Sequence, residues 1–243
     1  MTLPPSPRTE VKRLPARSRY DSDVAHRILD EALICHVGFV VDGQPVVIPT
    51  IHARQGDRLY LHGSPASRML RTLKREVDVC VTVTLVDGLV LARSAFHHSM
   101  NYRSVVVFGR ACEVTGPEKM AAFRALVDHV VPGRWNDVRA PNELEVRSTL
   151  VLALALAEAS AKVRTGPPLD DEVDYALPVW AGELPLRTLP GTPVGDPRLA
   201  PNTVVPEHVT GWRQSSDGVA SSTVPPFDDL ELDDPPLDPA HPG

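Results

Sequence analysis

Residues 77–88 read VDVCVTVTLVDG, and this short stretch decides the class of the fold. Apolar residues stand at every second position from Val77 to Leu85, and aspartate, cysteine and threonine stand between them. Side chains of a β-strand point alternately to the two faces of a sheet, so this pattern makes one face apolar. The stretch therefore predicts a long strand with one buried face, which ends at the Asp87-Gly88 turn signal.

The same period of two recurs on both sides of this strand. Residues 34–63 predict three strands of a meander, with turns at Asp42-Gly43 and at 55–57. Residues 89–116 predict two more strands with an interruption near 99–101. Residues 148–166 are rich in alanine and leucine, but leucines at alternate positions favour a strand over a helix. With a last short strand in 177–186, about seven strands indicate an antiparallel barrel rather than a doubly wound sheet.

A few short helices lie between the strands. Residues 21–33 have helical apolar spacing, and Asp21 or Ser22 can cap the start. Residues 64–75 predict a helix with Ser64 as N-cap and a proline at the first helical position. Thr115 and Glu118 match a capping box at the start of a third helix. The predicted fold class is therefore mainly β with short helices (α+β).

The 243 residues fit one substantial domain with two tails. Residues 1–17 predict a flexible arm, 18–200 the barrel domain and 201–243 a disordered tail rich in proline and aspartate. Seven acidic residues and no lysine or arginine follow position 214, so the acidity of the chain, net charge −6, belongs to this tail. Such a composition does not bury enough apolar surface to offset the entropy of ordering.

Composition also excludes several classes of function. The body of the chain is near neutral and poor in aromatic residues, which argues against nucleic-acid binding. No apolar run is long enough to span a membrane, and no secretory signal precedes the body, so we expect a cytoplasmic protein. The three cysteines are far apart and lie in apolar runs, which predicts reduced, buried thiols and no metal site.

Residues 61–70, LHGSPASRML, carry the strongest chemical signal. A strand is expected to end at His62-Gly63 and a helix to begin at Ser64. Helix N-termini present unpaired N–H groups and partial positive charge, and Ser64, Ser67 and Arg68 would add hydroxyls and a guanidinium. This arrangement is typical of phosphate binding. The alternative is that Ser64 is only an N-cap and Arg68 only a solvated arginine.

A second candidate segment is NYRSVVVFGR, residues 101–110. In a strand, Arg103 and Ser104 would point to opposite faces. A buried arginine needs an anion, either a cofactor phosphate or a carboxylate of Asp78 or Glu113. The adjacent histidines 97 and 98 diverge in a strand and so would not chelate one metal together.

These segments, with VVIPTIHA, EASAKVRTGPP and VWAGELPL, resemble the pyridoxamine 5'-phosphate oxidase-like FMN-binding split-barrel superfamily. The similarity spans about residues 19–186 and is strongest to the branch of nitroimidazole-resistance-type and flavin-nucleotide-binding proteins. It implies an antiparallel split β-barrel that forms a homodimer with FMN at the subunit interface. His62 matches a histidine of functional importance in that branch and is the candidate catalytic residue. The implied cofactor-binding residues are Pro49, Thr50, Ile51, Leu61, His62, Gly63, Ser64, Ser67, Arg68, Arg103, Ser104 and Trp180.

The sequence departs from the true oxidases at their substrate-binding positions. Ile48 stands where they have an arginine, Ala53 stands where they have a lysine, and residues 183–186 replace an Arg-x-His segment. We therefore expect an FMN-dependent oxidoreductase that acts on a small organic molecule other than pyridoxamine phosphate. Two alternatives stay open: a non-catalytic protein of the same fold that carries deazaflavin or haem, and an interaction module that recruits a partner through its acidic tail.

Overall fold

The computed structural model describes residues 6–12 and 14–212. Ten strands in this part of the chain form one antiparallel sheet in the order β1-β9-β6-β5-β2-β3-β4-β8-β7, with β10 paired to β5. The strands are β1 (Ser18–Arg19), β2 (Ile34–Val41), β3 (Gln44–Gln55), β4 (Arg58–Gly63), β5 (Asp78–Leu91), β6 (Ser99–Arg110), β7 (Cys112–Glu113), β8 (Leu150–Ala155), β9 (Glu158–Arg164) and β10 (Gly182–Pro185).

The helices are short and lie between the strands. They are α1 (Ser22–Glu31), α2 (Arg68–Leu73), α3 (Gly116–Val130), α4 (Glu143–Arg147) and α5 (Glu207–Thr210), with 3-10 turns at Pro15–Arg17, Arg134–Asn136 and Glu172–Ala176.

The connection between β8 and β9 curls the sheet into a barrel. These strands lie on opposite sides of the sheet order, with β6, β5, β2, β3 and β4 between them, yet only residues 156 and 157 join them in the chain. Two residues reach only about 7 Å when extended, so the two sides of the sheet must come together. Because β8 and β9 are not paired, the barrel stays split at that seam.

The predicted strand at 77–88 forms and continues to Leu91 as β5. Val79, Val81 and Val83 face the barrel interior with 4% exposure or less, whereas Cys80 and Thr82 on the other face stay half-exposed. The largest fully buried side chains include Ile28 and Leu29 of α1, which covers one end of this core. The predicted mainly β, antiparallel barrel is therefore confirmed.

Several local predictions are wrong, each for a tertiary reason. The structure has ten strands rather than seven, partly because residues 150–164 form two strands instead of one. The break after β5 falls at 92–98 rather than at 99–101, because pairing with β10 extends β5 to Leu91. The capping box does not form: Thr115 makes no side-chain cap, and Glu118 instead binds Arg58 at 2.5 Å and Tyr60 at 3.1 Å.

The structure describes only parts of the two predicted tails. Residues 6–12 of the expected flexible arm pack on the body, where Thr9 is 2% exposed and Arg8 pairs with Glu158. Residues 201–212 of the expected tail end in Trp212, whose indole donates to the carbonyl of Val130 at 2.8 Å. The predicted disorder of residues 213–243 lies outside the described residues.

The cysteines are free, as predicted, but only Cys35 is buried. Cys80 is half-buried and Cys112 is exposed. Burial raises the pKa of the Cys35 thiol to about 12.

Candidate functional site

The strongest candidate site is the corner formed by residues 62–68, where β4 ends and α2 begins. Gly63 makes this corner tight: its φ is 158°, and a Cβ there would lie 3.1 Å from Leu70 Cδ1. The Ser67 amide then donates to the Ser64 carbonyl at 2.9 Å, and the Ala66 amide to the Ser64 hydroxyl at 3.2 Å. This turn occupies the start of the predicted helix, so Ser67 rather than Ser64 is the N-cap.

Because α2 is short, the attraction for an anion at this corner comes from side chains rather than from the helix N-terminus. With six residues, α2 contributes little macrodipole, so side chains must supply the attraction. Ser67 makes no side-chain capping bond, and Arg68 is exposed without an ion-pair partner among the described residues. A hydroxyl and a guanidinium are therefore both available at this corner for a phosphate group.

His62 stands beside this corner with an unsatisfied ring nitrogen. Its Nδ1 is buried and has no hydrogen-bond partner among the described residues. Burial also lowers the pKa of His62 below its ordinary value, so the ring is neutral at pH 7. An orphaned buried nitrogen is costly, and a ligand that reached it would relieve that cost.

The neighbouring strand β3 brings its predicted residues to the same corner. His52 pairs with Leu61, so Ile51 lies next to His62 on the outer face of the sheet, and Pro49 lies two residues along on that face. Thr50 and Leu61 have the opposite orientation, and Leu61 is fully buried in the core. These two residues can therefore reach a ligand at this face only through main-chain atoms.

The outer surface of β2, β3 and β5 carries several exposed apolar side chains. We call this surface the open face, and its exposed apolar side chains are Ile34, Val40, Val47, Ile51 and Val86. The strand register places Ile34 opposite Ile51 and Gly38 opposite Val47, with the exposed His36 opposite Pro49 between these two pairs. An apolar patch of this kind marks an interaction surface. Along β3, apolar residues occupy both alternating sets of positions, which is typical of a strand whose two faces are both buried. The sequence analysis did not use this pattern.

Arg103 does not need a cofactor to neutralise it. Its guanidinium binds Asp87 through two hydrogen bonds of 2.9 and 2.7 Å and also binds both carboxylate oxygens of Glu31. Burial alone would lower the pKa of Arg103, but these two carboxylates outweigh it and raise the pKa above its ordinary range. The partners predicted from sequence were wrong, because Asp78 pairs with Arg110 and Glu113 with Lys74.

Ser104 and Trp180 lie away from the corner within one chain. Ser104 points to the outer face, opposite to Arg103 as predicted, and its hydroxyl lies 3.5 Å from the Lys162 carbonyl. It is on β6, which β5 and β2 separate from β3. Trp180 is 67% exposed and precedes β10, at the far end of β5. One copy of the chain therefore does not bring these two residues to His62.

Residues 6–12 and 14–212 contain no group of three or more histidine, cysteine or acidic side chains placed to hold a metal ion. None of their helices combines the length and the apolar character needed to cross a membrane.

Comparisons with known proteins show the family and the fold of the chain. The family model described as pyridoxamine 5'-phosphate oxidase matches residues 21–163. The flavocytochrome Anf3 from Azotobacter vinelandii is 46% identical, with a TM-score of 0.80 over 86% of this chain and 98% of its own. The FAD and heme binding protein from Mycobacterium smegmatis is 37% identical, with a TM-score of 0.78 over 80% of this chain and 96% of its own.

A third structure is more distant. A candidate 5-nitroimidazole antibiotic resistance protein from Bacteroides thetaiotaomicron is 26% identical, with a TM-score of 0.51 over 60% of this chain and 86% of its own. A search of curated proteins found no match to the chain.

Proposed function

Because the chain belongs to the pyridoxamine 5'-phosphate oxidase family, we propose that it is a homodimeric flavoprotein that transfers electrons to or from a small organic molecule. The observation that carries this proposal is the corner at residues 62–68. Within residues 6–12 and 14–212, Ser67 and Arg68 have no competing side-chain partner, and the buried Nδ1 of His62 is unsatisfied. A phosphate-bearing aromatic cofactor would satisfy all three groups.

Each residue of the corner has a distinct part in this proposal. Ser64, Ser67 and Arg68 bind the flavin phosphate, while Pro49, Ile51 and His62 line the ring with the main chain of Thr50 and Leu61. FMN and FAD share this phosphate and ring, so the corner fits the FMN half of either cofactor. A bound flavin supplies the redox chemistry, and the protein orients it and shields it from water.

The proposed homodimer is supported by the open face and by the residues that one chain leaves apart. Pairing of two open faces would remove their apolar side chains from water. Ser104 and Trp180 are then contributed to the flavin of the other subunit, since neither lies near His62 of its own chain. We also propose a cytoplasmic location, because all three cysteines are free thiols.

His62 is the candidate catalytic residue. Its neutral ring has one nitrogen protonated and one unprotonated, so it can donate or accept one hydrogen bond toward a ligand. Burial lowers the pKa of His62, which favours the neutral ring. The part proposed for His62 is therefore that of a neutral hydrogen-bonding group that orients the cofactor or the substrate, rather than that of a charged acid.

The test is flavin binding by the purified protein and by Arg68→Ala. We expect a flavin absorption spectrum in the wild type, and a loss of about 1.5–3 kcal/mol of flavin affinity in the variant, the range for a hydrogen bond to a charged group. Arg75→Ala is the matched control, because Arg75 is exposed just after α2. A wild-type protein that binds neither FMN nor FAD would refute the function. Equal losses in both variants would refute only the phosphate assignment.

A second cofactor has support from one side chain. The relatives at 46% and 37% identity are a flavocytochrome and an FAD and heme binding protein, and we propose that this chain also binds haem. His98 is exposed, and its Nδ1 lies 2.8 Å from the Ser94 carbonyl, which leaves Nε2 available to a ligand. Metal-binding histidines are typically oriented in this way by a second hydrogen bond. A haem iron there would exchange single electrons with the flavin.

Haem binding is tested by reconstitution with haemin. We expect a Soret band in the wild type that His98→Ala loses. His97→Ala is the matched control, since the neighbouring His97 side chain is only 9% exposed and its Nε2 lies 3.5 Å from Asp171. A band that persists in His98→Ala would refute the ligand assignment. A wild type that binds flavin but not haem would refute this second cofactor alone.

A further inference from the structure

A basic cleft lies on the other side of the β4–α2 corner. It has a volume of about 370 Å³ and lies between α2, β7, α3, α4 and the start of β8. Its charged lining consists of Arg71, Lys74, Lys119, Arg147 and Glu113. Pro65 of the corner forms part of the same wall, so the cleft adjoins the proposed phosphate position.

Some of these charges are neutralised within the protein. Lys74 binds Glu113 at 2.6 Å, and Arg147 lies 3.2 Å from Glu143, whose side chain is 91% exposed. Arg71 is exposed and has no ion-pair partner among the described residues. The remaining charge of the cleft is therefore positive.

Lys119 is the unusual member of the group. It is only 9% exposed, lies in the first turn of the 15-residue helix α3, and lines the cleft without a hydrogen-bond or ion-pair partner for its ammonium group among the described residues. The nearby Glu118 does not neutralise Lys119, because its carboxylate binds Arg58 and Tyr60. Burial of the carbon chain therefore holds the ammonium group at the wall of the cleft, with no counter-ion among the described residues.

We propose that this cleft binds a phosphate group of an organic ligand, with Lys119 as the central contact and Arg71 at the rim. A lysine ammonium suits phosphate as a point charge, and an arginine suits it through paired N–H donors. Such a phosphate can come from two sources: the second phosphate of a dinucleotide flavin whose first phosphate is at Arg68, or a separate phosphorylated molecule. Only the first source rests on the proposed function.

The test uses inorganic pyrophosphate as the probe, with calorimetry on the full chain and on Lys119→Met. We expect the variant to lose affinity about 10- to 100-fold, which corresponds to one hydrogen bond to a charged group. Lys119→Arg keeps the charge and should retain most of the affinity. Arg75→Gln removes the same charge outside the cleft and should bind as the wild type does. Circular dichroism establishes that each variant is folded.

Titration with FAD and FMN then separates the two sources. If Lys119→Met weakens FAD but not FMN, the cleft holds the second phosphate of the dinucleotide. If it weakens pyrophosphate alone, the cleft binds a separate phosphorylated molecule. Pyrophosphate binding that depends on Lys119 in a protein without flavin affinity would support the cleft and refute the flavoprotein proposal. Equal pyrophosphate affinity in the wild type and in folded Lys119→Met, or no binding to either, would overturn the inference.

Discussion

At the scale of single residues, His52 shows how burial makes a side chain sensitive to pH. It is fully buried on β3, its Nε2 lies 2.9 Å from the Leu29 carbonyl, and its ring centroid is 4.8 Å from that of His129. Burial, and to a lesser degree the neighbouring His129, lowers its pKa from 6.5 to about 4. The native protein therefore keeps this ring neutral at a pH where the unfolded chain has protonated it.

The expected consequence is a loss of stability in mild acid. Between pH 6.5 and 4 the unfolded state binds one more proton at His52 than the native state does, so the free energy of unfolding falls as the pH falls. This residue should contribute a loss of about 3 kcal/mol across that window and none above it. Urea denaturation as a function of pH measures the effect.

The matched variants are His52→Gln and His98→Asn. Glutamine can keep the donor to Leu29 without titrating, so His52→Gln should flatten the decline. His98→Asn changes an exposed histidine and should keep the wild-type slope. An unchanged slope in His52→Gln would contradict the assignment of the decline to this residue.

At the scale of elements, one buried arginine joins β9, β6 and β10. Arg164 is 3% exposed and donates to the carbonyls of Gly166 and Pro167, each at 3.1 Å, and to the side chain of Asn101. Asn101 in turn donates to Glu183 of β10. The network connects the last short strand to the barrel through side chains as well as through its pairing with β5.

We expect Arg164→Met to destabilise the protein by about 3–5 kcal/mol. The methionine fills a similar volume but leaves the partners of the guanidinium buried and unsatisfied. Arg110→Met is the control, because Arg110 is exposed and its ion pair is with exposed Asp78, so it should leave the urea midpoint unchanged. Similar midpoints for Arg164→Met and the wild type would show that the network adds little stability.

At the scale of the whole molecule, the proposed homodimer predicts that the open face is its interface. Val47 is 64% exposed near its centre, opposite Gly38. We expect the wild type to sediment as a dimer and Val47→Arg as a monomer, because a charge there would be desolvated in the interface. Val194→Arg is the control, since Val194 is 94% exposed in the segment after β10. A dimer in both variants would place the interface elsewhere.

The sequence by itself determined the class of the fold, because alternation along residues 77–88 is a local property that fixes one buried face. It also located the corner at 62–68, since the turn, the serines and Arg68 are contiguous in the chain. Only the tertiary structure decided where α2 begins, which carboxylates neutralise Arg103, and that Lys119 lines a basic cleft. These depend on residues far apart in sequence, such as Glu31 and Arg103, and no local pattern records such contacts. Closure of the barrel likewise needed the full strand order, because the seam between β8 and β9 exists only once the other strands have paired.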